Sequence, residues 1–392
     1  MNPFGSIKDR TALSLIQGAG EASTIIESSS GNTAKALGIL ASIQGKKFIS
    51  VTSKIKQKEV EDILRIIDVD IRNLPPGSEC PDPNDPNSPF KVIQSIIDQD
   101  PDIYYWTDQY TNMANPNVHT ETTAKEIEKD IGTPDFFFSG LGTTGSSRGI
   151  SEYFSGKGDM KSIGIITAGS SYIPGIRNNR EMGEVGLFEK SYYLHFEEVH
   201  DTDATDAMLL LIRKTGILVG PTTGATYHGM IQYLQKQDPI SLQGKKIVFI
   251  ACDRLEPYTS YIREKKPGIF GEETHNEGAQ ALGESNTIDI IPEDLSNHLI
   301  IDMRSYDSYK IGHIRGSLSF PFSELGRYTK EGYLPFPKEK ELIFVCPYGE
   351  ESVLMSQIAN TLLYTSYSLN HGYLEYKKRN PQTIISQNYN VL

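Results

Sequence analysis

The chain has 392 residues, more than one ordinary core accommodates, so two domains are expected. Hydrophobic residues make up 38%, enough for packed globular units, and the formal net charge of -12 argues against nucleic acid as a partner, because a phosphate backbone attracts basic surfaces. No apolar run approaches the roughly 20 residues of a membrane helix, and the start, MNPFGSIKDR, lacks the basic-then-apolar pattern of a secretory leader.

Helical and strand-like patterns alternate from residue 9 to about 253. Residues 9–20 read as a helix, 23–27 as a short strand and 28–31 as a loop of small residues, followed by a helix over 32–44. A strand at 47–52 and a helix at 56–66 come next, then a Pro/Asn/Asp/Ser-rich surface loop at 75–89. Residues 135–139 form a strand ending in a glycine loop, with a helix from about 146 and another strand at 162–167. Helices at 205–215 and 223–235 precede an apolar strand at 246–251. This alternation predicts an α/β fold with a mostly parallel sheet. Residues 266–286 are polar and aperiodic, as in a linker. A second α/β pattern begins with strands at 287–291 and 299–302 and runs to about 378. The predicted organisation is therefore a domain over 1–265, a linker over 266–285 and a domain over 286–392.

The three cysteines, Cys80, Cys252 and Cys346, are too few and too odd for a disulfide framework, and they fit the reducing cytoplasm. No CxxC or HxxxH spacing suggests a metal site.

Three loops carry possible chemistry. Gly140-Leu-Gly-Thr-Thr-Gly-Ser146 follows an apolar strand and opens a helix. Its glycines let backbone N–H groups approach an anion, the helix N-terminus adds positive potential, and its hydroxyls add donors. It matches neither the Walker pattern nor a dinucleotide fingerprint, and a plain turn between strand and helix is the bland alternative. Ser28-Ser-Ser-Gly-Asn-Thr33 presents hydroxyls, an amide and N–H groups that suit a carboxylate, although Ser and Asn also favour simple helix caps. Gly220-Pro-Thr-Thr-Gly-Ala225 is a third such junction. Lys8, in Asn2-Pro-Phe-Gly-Ser-Ile-Lys-Asp-Arg10, stands at a helix start behind a Pro/Gly turn. Most lysines are solvated charges, but one held this way can serve as a nucleophile toward aldehydes once its pKa falls.

The segments NPFGSIKDR, ESSSGNTAKALG, QYTNMANPNVHTETTAKEI, SGLGTTGSSRG and GILVGPTTGA stand in the order and approximate spacing of cysteine synthase (O-acetylserine sulfhydrylase). The chain resembles that family, and with it cystathionine β-synthase and the fold-type II pyridoxal phosphate enzymes, over about residues 1–265. The resemblance implies that Lys8 is the Schiff-base lysine and the base that moves the Cα proton. It implies that Asn32 bonds the cofactor's ring hydroxyl and that Gly142, Thr143, Thr144, Gly145 and Ser146 hold its phosphate. Thr223 falls where a hydroxyl faces the ring nitrogen, and Ser29, Ser30, Gly31, Thr33 and Gln109 grip the substrate carboxylate. The implied chemistry is β-replacement on an activated serine, O-acetylserine or O-phosphoserine, through an aminoacrylate, with a sulfur or amine nucleophile, in a homodimer. A cysteine-degrading β-lyase is the first alternative. The family carries a strand ahead of the lysine motif, whereas Met1 here is followed at once by Asn2-Pro3. Either the start lies upstream or that strand is lacking, and the second case makes a non-catalytic binding protein the other alternative. The segment Ile173-Pro-Gly-Ile-Arg177, with Asn178 and Arg180, adds basic groups suited to an anionic substrate or to plain solvation.

The second pattern resembles a rhodanese (sulfurtransferase) domain over about 286–380. Leu342-Ile-Phe-Val-Cys346 is an apolar strand ending on a cysteine, followed by a turn and a helix over 353–364. A cysteine just before a helix sits among backbone N–H groups that favour a thiolate, although a buried structural cysteine is commoner. Asp302, Arg304, Tyr309, Gly312, His313, Gly316 and Pro321 match the rhodanese framework, and Cys346 matches its persulfide carrier. Glu350 and Glu351 would repel thiosulfate, so either transfer from a neutral or protein-bound persulfide, with sulfur passed to the first domain, or no catalysis at all is expected here, and in the lyase alternative the flow reverses and sulfur loads Cys346.

Overall fold

The structure is a computed structural model that describes residues 2–52, 55–74, 85–169, 171–272 and 286–386. The chain divides into two compact units, one of 1–73 with 93–274 and the other of 74–92 with 275–392. Most of the expected 75–89 loop and most of the linker, together with Cys80, lie outside the described residues.

The first unit holds two parallel sheets. In one, β1 (Thr24–Glu27), β2 (Lys47–Thr52), β3 (Asp70–Asn73) and β4 (Tyr104–Trp106) take the order β3-β2-β1-β4. The other is ordered β7-β6-β5-β8, from β5 (Phe136–Gly140), β6 (Lys161–Thr167), β7 (His195–Val199) and β8 (Ile247–Phe249). Strands β1, β2, β5 and β6 are almost wholly buried, and such apolar runs require cover on both faces. Helices α1 (Lys8–Ile16), α2 (Asn32–Ile43) and α3 (Lys58–Ile66) cover the first sheet, where Leu37, Ala12, Phe48 and Leu64 meet in one core. Between the sheets in sequence come α4 (Pro89–Gln99), α5 (Ala114–Val118) and α6 (Ala124–Ile131). Helices α7 (Gly145–Phe154), α8 (Asp201–Thr215) and α9 (Pro221–Gln235) belong to the second sheet, and α10 (Thr259–Lys265) follows it. Parallel strands put all their C-terminal ends on one edge, where ligand-bearing loops collect. The turns β1–α2 and β5–α7 both lie at such ends.

Several expected bounds shift. Helix α8 starts four residues earlier than the expected 205, because Asp201 and Asp203 favour the positive N-terminal turn. The expected strand at 246–251 shortens to Ile247–Phe249.

The second unit has a five-stranded parallel sheet ordered β12-β10-β13-β14-β9. Its elements are β9 (Asn286–Ile288), β10 (His298–Asp302), α11 (Tyr306–Ile311), β11 (His313–Ile314), β12 (Leu318–Ser319), α12 (Phe322–Lys330), β13 (Glu341–Val345), α13 (Glu350–Thr361), β14 (Ser366–Leu369), α14 (Gly372–Arg379) and β15 (Ile384–Ile385). The expected strand at 287–291 ends at Ile288, and the helix expected from 353 starts at Glu350. Arg304 is fully buried. Its guanidinium forks onto Asp302, with Nη2 donating at 2.7 Å, and donates to Gly312 O while lying 3.4 Å from the Tyr373 ring centroid. A buried charge is tolerable when it is paired and hydrogen-bonded in this way. Among the described residues, no helix is long and apolar enough to cross a membrane.

Candidate active site

The turn before Lys8 is built by its own neighbours. Asp9 accepts from Phe4 N–H at 2.6 Å and from the Ser6 hydroxyl, while Arg10 bonds Asn2, Thr122, Thr123 and Glu126. The sequence KDR therefore presents one lysine and uses the next two residues to fix it. Lys8 opens α1, is half-buried, and its Nζ donates to Thr143 Oγ1 at 3.2 Å. Burial holds its amine below the usual lysine range, with the acidic groups of Cys252 and Asp253 acting the other way.

The loop after β5 meets α7 through Thr144, which adopts a left-handed φ of 61° as the residue capping the helix. Two glycines there are required by close approach. A Cβ on Gly142 would lie 2.5 Å from Gly175 O, and one on Gly145 would lie 2.0 Å from Asn115 Oδ1. Ser146 is the second residue of α7. Thr144 Oγ1 is buried without a partner among the described residues. A phosphate fits that pattern, since it would give the orphan hydroxyl an acceptor and would meet the free N–H groups of the helix start.

Asn115 links the site together. It is fully buried, donates from Nδ2 to Gln109 O at 2.8 Å and Thr143 Oγ1 at 3.1 Å, and accepts from Thr11 Oγ1. Thr11 also bonds His119, whose imidazole burial drives down to about 3. The residues expected to grip a substrate carboxylate gather at the β1–α2 turn. Thr33 Oγ1 donates to Gln109 Oε1 at 2.8 Å, Gln109 Nε2 donates to Ser28 O, and Ser29 Oγ accepts from Gly31 and Ala34 N–H. Ser30 and Gly31 lie half-buried in the same turn. Beneath it, the fully buried Glu27 accepts from Ser28 N–H, the Thr107 hydroxyl and Gln109 N–H. Burial pushes its carboxyl up to about 7 against those bonds.

Asn32 opens α2 and donates to Asp253 Oδ2 at 3.1 Å and Tyr258 Oη at 3.0 Å. Thr223 is fully buried, and its hydroxyl oxygen accepts from Cys252 N–H at 3.1 Å. The sequence reading missed Asp253 and Asn115, although both had a signal. Asn115 lies inside one of the five motifs, and Asp253 follows a strand end at the ligand-bearing edge. The Arg177 guanidinium lies 5.0 Å from the Tyr110 ring centroid, one residue from Gln109.

In the second unit, Cys346 directly follows β13 and is fully buried. Its Sγ accepts from Gly349 N–H at 3.1 Å and Ser352 N–H at 3.4 Å. Gly349, at a φ of 97°, lets the loop fold back over the sulfur.

A helix-opening loop with an orphan buried hydroxyl, beside a desolvated lysine, suits a phosphate-bearing cofactor, and comparison with known proteins specifies the family. Residues 1–253 match the family described as pyridoxal-phosphate dependent enzyme, and the chain belongs to it. Residues 289–379 match the rhodanese-like domain. The chain is 29% identical to cysteine synthase B of Salmonella typhimurium over 71% of its length and 88% of that protein. It is 31% identical to a probable cysteine synthase of Bacillus subtilis over 66% of its length and 86% of that protein. Among solved structures, a hydrogen sulfide-producing enzyme of Fusobacterium nucleatum is 28% identical with a TM-score of 0.58, covering 66% of this chain and 88% of that one. The protein is thus a pyridoxal phosphate enzyme of the synthase/lyase kind, with a rhodanese-like domain after it.

Proposed function

We propose that the first unit performs β-replacement on O-acetylserine or O-phosphoserine with a sulfur or amine nucleophile. The observation that most supports this is one hydrogen-bonded chain, Lys8–Thr143–Asn115–Gln109–Thr33, which ties a lysine of lowered pKa to a turn built for a carboxylate. Pyridoxal phosphate, when bound, supplies an electron sink for the charge left at Cα. Gly142, Thr143, Thr144, Gly145 and Ser146 hold its phosphate, and Asn32 its ring hydroxyl. Lys8 Nζ would anchor the cofactor and accept the Cα proton, and burial, which lowers its pKa, favours the neutral amine that both roles need. Ser29, Ser30, Gly31, Thr33 and Gln109 hold the amino acid's carboxylate, fixing the Cα–H bond toward the lysine.

In this reading the chemistry divides between 1–265 and 286–392, with the linker between them, in a cytoplasmic homodimer. Cys346 carries sulfur as a persulfide, held by the Gly349 and Ser352 N–H donors, and a small thiol, by forming a mixed disulfide with Cys346, releases that sulfur as sulfide for the first unit. The hydrogen sulfide-producing relative favours a second reading, in which cysteine is eliminated to sulfide, pyruvate and ammonia, and the sulfide loads Cys346 by displacing a small thiol from a mixed disulfide on that residue. A scan of the lysine-bound cofactor's visible band against amino acids separates the two. A new band with O-acetylserine or O-phosphoserine, and none with cysteine, supports replacement. The reverse pattern supports degradation.

A further inference from the structure

The Asn115 side chain joins the two loops that the proposed function assigns to cofactor and substrate. Its Nδ2 donates to Gln109 O and Thr143 Oγ1, and its Oδ1 accepts from Thr11 Oγ1. The Gln109 carbonyl has no hydrogen to give, so the amide can stand only this way round. Thr11 therefore gives its single hydrogen to Asn115. Yet Thr11 Oγ1 also lies 3.1 Å from His119 Nε2. That contact is a hydrogen bond only when Nε2 carries the ring proton and donates to Thr11. The other ring nitrogen, Nδ1, is then an acceptor, 3.0 Å from Thr123 Oγ1. Thr123 donates to it and accepts in turn from Arg10 Nη1 at 3.1 Å. With the proton on Nδ1 instead, Asn115 Oδ1 and His119 Nε2 would compete for one hydrogen, and a buried acceptor would be left bare.

The bonds thus run one way, from Arg10 through Thr123, His119 and Thr11 to Asn115, and end on Thr143 and Gln109. Thr11, Asn115 and His119 are all fully buried. Burial, reinforced by the positive charges of Lys8 and Arg10, drives the imidazole down to about 3, so the ring is neutral whenever the protein works. Thr143 Oγ1 already accepts from Lys8 Nζ. With Asn115 as a second donor both its lone pairs are taken, and its own hydrogen is left for an acceptor such as a phosphate oxygen.

We propose that His119, with its proton on Nε2, is a positioning residue: through Thr11 it holds the Asn115 amide that aligns the cofactor loop at Thr143 and the substrate turn at Gln109. His119 itself touches neither ligand. This deepens the proposed function and rests on its assignment of those two loops, not on the leaving group or the direction of sulfur flow.

The test joins nuclear magnetic resonance of holoenzyme isotopically labelled at the histidine ring nitrogens with two titrations. The His119 signal is assigned by its loss in His119→Gln. The expected ring has a proton on Nε2 and none on Nδ1, unchanged across the pH range where ordinary histidines titrate. Cofactor affinity is read by fluorescence titration with pyridoxal phosphate. Affinity for O-acetylserine or O-phosphoserine, without added nucleophile, is read from the bound cofactor's visible band. His119→Leu and Thr11→Val should each weaken both affinities by about tenfold, as loss of one buried hydrogen bond predicts. The double variant should be no weaker than either single one. His119→Gln, whose amide nitrogen can stand in for Nε2, should stay within about threefold of the parent. Where His119→Leu does not fold, Thr11→Val reports on the same bond. A proton on Nδ1, a titrating ring, or a His119→Gln as weak as Thr11→Val overturns the proposal. Parent-like affinities in His119→Leu and Thr11→Val, with cysteine still formed by the parent, remove this inference alone. The expected ring and the expected loss of cofactor affinity, with no cysteine formed by the parent, remove the proposed reaction alone. A parent that takes up no cofactor overturns both.

Discussion

Replacing Gly145 with alanine pushes a methyl group into the space that Asn115 occupies, 2.0 Å from its Oδ1. Helix propensity alone would favour alanine by about 1 kcal/mol at this first position of α7. The contact outweighs it, because Asn115 is fully buried and bonded to Gln109, Thr143 and Thr11. Overpacking costs about 1–3 kcal/mol, and three lost hydrogen bonds cost about 1 kcal/mol each. The net destabilisation is about 3–5 kcal/mol after the propensity gain. Losing the Thr143 contact also loosens the loop proposed to hold the phosphate, so cofactor affinity should fall about tenfold or more, the equivalent of about 1.4 kcal/mol. Urea denaturation and fluorescence titration with pyridoxal phosphate read the two effects. Combining Gly145→Ala with Asn115→Ala should cost less than the sum of the single changes by more than about 1 kcal/mol, since the methyl then has room. Parent-like stability and affinity in Gly145→Ala, or strict additivity in the double variant, would refute the reasoning.

Lys8→Ala should fold and should show no cofactor on the protein by mass spectrometry after borohydride reduction, and covalent cofactor at another lysine would displace Lys8 from its role. Glu27 has a folded pKa of about 7 against an ordinary 4.5, so its contribution to stability is full below 4.5 and is lost as pH rises through about 7. That window corresponds to about 3 kcal/mol, and Glu27→Gln should remove this part of the pH dependence of urea unfolding; an unchanged profile counts against the assignment. Cys346→Ser should abolish amino-acid synthesis driven by a protein-bound persulfide, and an undiminished rate with that donor would sink the sulfur-delivery role.

Much of the fold was legible because buried parallel strands are written as apolar runs. The strand at 47–52 has its expected bounds for that reason, with five of its six residues buried. Strand β7, His195–Val199, escaped notice because its pattern is charged. Its buried Glu197 is made tolerable by Lys236, 39 residues away, at 2.7 Å. Helix α5, with sequence ANPNV, carries no periodic apolar signal, and Asn115 within it bonds Thr143 and Thr11, contacts that no local propensity encodes. The site divided in the same way. Glycine loops and the lysine motif are local signals, whereas Asn32 and Asp253 stand 221 residues apart and meet only in the folded chain.

The central claim is that this site builds an amino acid by β-replacement, and product analysis of the reconstituted holoenzyme tests it most directly. Incubation with O-acetylserine or O-phosphoserine plus sulfide should yield cysteine, and this should be lost in Lys8→Ala. Incubation with cysteine alone should yield little sulfide and pyruvate by comparison. Rapid release of sulfide from cysteine, with no cysteine formed from either activated serine, would contradict the account.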